Sequence, residues 1–63
     1  MTQKELLYVE DAVSHESSII KICQDAISKL DDNSFISFIE NEITKHSNIK
    51  NRLMELLRGQ INE

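Results

Sequence analysis

Apolar residues recur along the first half of the chain at Leu6, Val9, Val13, Ile20, Cys23, Ile27 and Leu30, in steps of three, four or seven. On a helix with 3.6 residues per turn these positions form one stripe, whereas a half-buried strand would need strict alternation. Ala12, Ile19 and Ala26 widen the stripe into a face broader than the seam of a two-stranded coiled coil. Thr2 followed three residues later by Glu5 has the spacing of a capping box, in which hydroxyl and carboxylate satisfy each other's first-turn amides. The pattern therefore predicts a first helix over about 3–30.

Asp31-Asp32-Asn33-Ser34 breaks the periodicity with four residues that readily bond nearby backbone, and an acidic side chain suits the positive end of a following helix. The expected turn is 31–33, with Asp32 as the cap. A second helix over about 34–58 repeats the spacing through Phe35, Ile39, Ile49, Leu53 and Leu56, flanked by Ile36, Phe38, Ile43 and Leu57. Arg58-Gly59 reads as its C-terminal stop, and Ile61-Asn62-Glu63 is expected to fray. With no proline and a single glycine, strands and hairpin turns have little support. A short connection makes the two helices antiparallel neighbours, so the predicted fold is all-α: a single-domain, two-helix hairpin spanning 1–63.

Length turns this hairpin into an incomplete object. Sixty-three residues lie where a lone hydrophobic core is marginal and a disulfide, a metal or a partner usually assists. The lone Cys23 excludes an internal disulfide and fits a reducing compartment; it reads as a small core residue. Two hairpins packed face to face would form a four-helix bundle, which makes a homodimer the economical solution and another helical protein the alternative partner. The expected dimer interface comprises Val9, Val13, Ile20, Ile27, Ile39, Ile49, Leu53 and Leu56. No apolar run is long enough for a membrane span, and the first residues lack a signal-peptide layout, so a cytoplasmic location is expected. A net charge of -4 argues against nucleic acid or anionic lipid as a partner, and Lys45, Lys50, Arg52 and Arg58 read as a solvated face.

Three polar residues interrupt the stripes. Glu16, Glu42 and His46 stand where apolar residues are expected, and an unpaired buried charge is costly. In an antiparallel hairpin all three can be neighbours, on the expectation that level residues have numbers summing to about 65, and a twofold dimer would double them to four carboxylates and two imidazoles. One reading is a hydrogen-bonded pair, Glu16 with His46, that fixes register and partner choice, with no cofactor. The other is a metal site for iron, manganese or zinc built from Glu16, Glu42 and His46 across a dimer, since carboxylate and imidazole suit those ions. His15 reads as a surface histidine, and no nucleophile with an adjacent base marks an enzyme.

The stretches Tyr8-Val9-Glu10-Asp11-Ala12-Val13-Ser14-His15-Glu16 and Phe38-Ile39-Glu40-Asn41-Glu42-Ile43-Thr44-Lys45-His46 resemble the ferritin-like, coat F-type small helical proteins of spore-forming Firmicutes. The resemblance covers about three quarters of the chain and implies a ferritin-like bundle, of which this chain would be half, with a structural role associated with the spore coat or the cytoplasm. The Glu42 to His46 spacing of four departs from the Glu-x-x-His pattern of ferritin-like metal sites, which leaves metal loading open. The leading functional expectation is a self-associating structural or assembly protein. The alternatives are a metal-binding half-bundle and a regulatory adaptor that receives a helix from another protein.

Overall fold

The computed structural model describes residues 1–61, with side chains through Gly59. It is all-helical: α1, Gln3–Lys29, and α2, Asn33–Ile61, pack against each other as an antiparallel pair 47 Å long and 14 × 12 Å in cross-section. Each helix is amphipathic, so each hides its apolar stripe against the other, and the tight link leaves no other arrangement.

Both helix starts carry the predicted caps. The Glu5 amide donates to the Thr2 hydroxyl at 3.1 Å while the Thr2 amide donates to the Glu5 carboxylate at 2.7 Å, completing the capping box. The Thr2 amide, followed by its hydroxyl, holds the Glu5 pKa below its ordinary value. A carboxylate whose folded pKa is lowered supports the fold above its unfolded pKa and loses that contribution as pH falls, so this helix end loosens in acid. At the turn, the Asp32 carboxylate accepts from the amides of Ser34 at 2.8 Å and Phe35 at 3.1 Å. Those donors would otherwise be unsatisfied in the first turn. Asp32→Ala should therefore destabilise the hairpin by about 1 kcal/mol in urea unfolding followed by circular dichroism, with little change in the denaturant slope.

Two boundaries differ from the sequence expectation. The link is Leu30 to Asp32, because Leu30 leaves the helix in an extended conformation (φ -101°, ψ 145°) and Asn33 already opens α2. At the far end α2 passes through Gly59 to Ile61, and Gly59 has no positive φ. A glycine stops a helix when it takes the left-handed conformation of a C-terminal cap; here it keeps helical geometry and serves as an ordinary, weak helix residue. A Cβ on Gly59 would meet nothing within 4 Å. Gly59→Ala should thus raise stability by about 0.5 kcal/mol in the same unfolding experiment. The fraying expected at Asn62 and Glu63 lies outside the described residues.

Among the described residues no side chain is fully buried. The stripe residues Leu6, Val9, Val13, Ile20, Ile27, Ile39 and Leu53 are half-buried, whereas Tyr8, Ile22, Phe35 and Phe38 are each more than 60% exposed. The accessible surface of 5016 Å² exceeds the roughly 4,200 Å² expected for a compact monomer of 7.3 kDa. The excess follows from the elongated shape, 47 Å long and 14 × 12 Å across.

Candidate functional site

Glu16, Glu42 and His46 converge midway along the hairpin. His46 Nδ1 lies 2.5 Å from Glu16 Oε2, with the imidazole N–H donating to the carboxylate. The other ring nitrogen, Nε2, lies 3.8 Å from Glu42 Oε2, one turn back on the same helix, and Glu42 Oε1 stands 3.6 Å from Lys45 Nζ. The side chains of Glu16, His46 and Glu42 are 16%, 23% and 30% exposed, so water is only partly excluded and each polar group has a partner nearby. Only the Glu16–His46 hydrogen bond crosses the seam; Glu42 lies beside His46 and Lys45 on α2, so the polar layer keeps each of its groups near an opposite partner.

The contact also corrects the register. Glu16 and His46 sum to 62, as do the flanking helix ends Lys29 and Asn33, so level residues sum to about 62. This is a shift of almost one turn from 65.

The partners sit 30 positions apart, and that interval recurs throughout the chain. Thr2 and Asp32 both cap; Val9 and Ile39, Glu10 and Glu40, Val13 and Ile43, Ser14 and Thr44, Ser17 and Ser47, and Ile19 and Ile49 correspond in type. Residues 1–20 and 31–50 have the same degree of burial at every position except Ile19 and Ile49. The two helices therefore share one pattern of burial at an offset of 30 and are related by an approximate twofold axis that passes between Glu16 and His46. Only at that axis can a residue meet its own counterpart, and the shared pattern carries its polar pair there. The interruption of both apolar stripes, combined with an antiparallel hairpin, is the sequence signal that brings Glu16 and His46 together.

No protein-family model, curated protein or solved structure matches the chain.

Among the described residues, no group of three or more His, Cys, Asp and Glu side chains is arranged to hold a metal ion. The geometry explains this for a single hairpin. Glu16 engages Nδ1 of His46, which leaves only Nε2 and the Glu42 carboxylate able to turn to a common ligand. Cys23 is a half-buried free thiol on α1, and His15 is exposed, outside the polar layer. No pocket is present among the described residues, and no helix there is long and apolar enough to cross a membrane.

Of the eight expected at a dimer interface, Val9, Val13, Ile20, Ile27, Ile39 and Leu53 are half-buried within the hairpin, while Ile49 and Leu56 are 38% and 51% exposed. At 100° per residue, Tyr8, Ala12, Ile19, Ile22 and Ala26 lie to one side of the α1 stripe. Their counterparts 30 positions on, Phe38, Glu42, Ile49, Arg52 and Leu56, lie on the same side of α2, and the approximate twofold axis directs both flanks to one broad face. The opposite face carries Glu10, Ser17, Gln24 and Ser28 with Glu40, Ser47, Asn51 and Arg58. The hairpin is thus a two-helix layer with one face richer in large apolar residues, interrupted by Glu42 and Arg52, while Met54, 41% exposed, lies on the other side.

Proposed function

We propose that the chain is a self-associating helical module in which two hairpins join by their apolar faces into a four-helix bundle that serves assembly. The observation that carries this reading is the absence of any fully buried side chain among the described residues, with Tyr8, Ile22, Phe38 and Leu56 exposed on one face. Layers of helices become stable by burying that kind of face, and an exposed contiguous apolar patch marks an association surface. Within the bundle, the hydrogen bond from His46 to Glu16 acts as the register device, because any sliding of α1 against α2 would leave both groups unpaired in an apolar setting. Sedimentation equilibrium at micromolar concentration should return twice 7.3 kDa. A helical species of single mass would remove the proposal, and a monomer that is only partly helical would favour the adaptor reading, in which another protein supplies the missing helices.

A metal-binding bundle is the second reading, favoured by one detail. Metal-bound histidines commonly donate their other N–H to a carboxylate, and His46 does so to Glu16 while Nε2 points toward Glu42. A dimer would bring two Glu42 carboxylates and two His46 imidazoles, a ligand set suited to iron, manganese or zinc. Addition of these ions should then raise the melting temperature by linkage, about 2.7 kcal/mol of stabilisation at a hundredfold excess over the dissociation constant, and Glu42→Ala should abolish the rise. Indifference to both metal and chelator is the result expected of the assembly reading. The spore-coat setting implied by the resemblance belongs to the same proposal of a structural role.

A further inference from the structure

We draw no further inference here: the strongest candidate, the exposed flank of the hairpin around Tyr8 and Ile22 on α1 and Phe38 and Leu56 on α2, is an unpartnered helix face interrupted by Glu42 and Arg52, and nothing in the structure shows what covers it or in which orientation.

Discussion

Replacing Glu16 with alanine should destabilise the protein by about 1–3 kcal/mol, because the His46 N–H that it accepts at 2.5 Å would be left in a mostly apolar seam without a partner. In a domain of this size the loss corresponds to a fall of roughly 4–8 °C in melting temperature for each kcal/mol. His46→Ala should behave similarly by stranding the Glu16 carboxylate. The double variant Glu16→Leu/His46→Leu is the informative one. Removing both partners and filling the seam with aliphatic side chains should restore wild-type stability or exceed it, since polar pairs between apolar surfaces contribute specificity more reliably than stability. Thermal and urea unfolding of the wild type, Glu16→Leu, His46→Leu and the double leucine variant completes a double-mutant cycle, and the coupling between the two positions should be clearly non-zero. If the double variant falls further than the two single variants combined, the pair is more than a register device and the metal reading gains.

The largest effect is expected on the apolar face. Phe38→Asp together with Ile49→Asp places two carboxylates where the two-helix layer is 63% and 38% exposed in isolation. A stable free hairpin would tolerate charges at such open positions within about 0.5 kcal/mol. A hairpin that folds only by covering this face would lose association and most of its helicity together. Circular dichroism and sedimentation on the same samples should therefore report both losses at once, whereas Glu40→Lys and Asn51→Asp, on the polar face, should leave both readings unchanged.

Several features could be read directly from the residues because each depends on local chemistry. Thr2 with Glu5 and Asp32 with the amides that follow form caps through interactions that span no more than three residues. The spacing of Leu6, Val9 and Val13 fixes an apolar stripe whatever the tertiary context. Proximity of Glu16 to His46 was also accessible, since a tight turn between long helices leaves few ways to pair them. Other features depended on relations that a local pattern does not carry. Gly59 looks like a stop in any local reading, yet the helix continues through it because nothing there requires a left-handed residue. The register differed by almost one turn because it is decided where Leu30 leaves α1, and apolar periodicity leaves that point uncertain by a residue or two. The division of the stripe between residues that meet inside the hairpin and residues left outside, such as Ile49 and Leu56, follows from the direction in which α2 lies, which no single-helix pattern contains.

The central claim is that this chain folds as half of a bundle, so its stability should be inseparable from its concentration. Thermal unfolding followed by circular dichroism at two concentrations a hundredfold apart tests it most directly. The account predicts one cooperative transition whose midpoint rises with protein concentration, since two chains associate as they fold. A cooperative transition at the same temperature in both samples would contradict it, because a hairpin with no fully buried side chain among its described residues would then be stable alone.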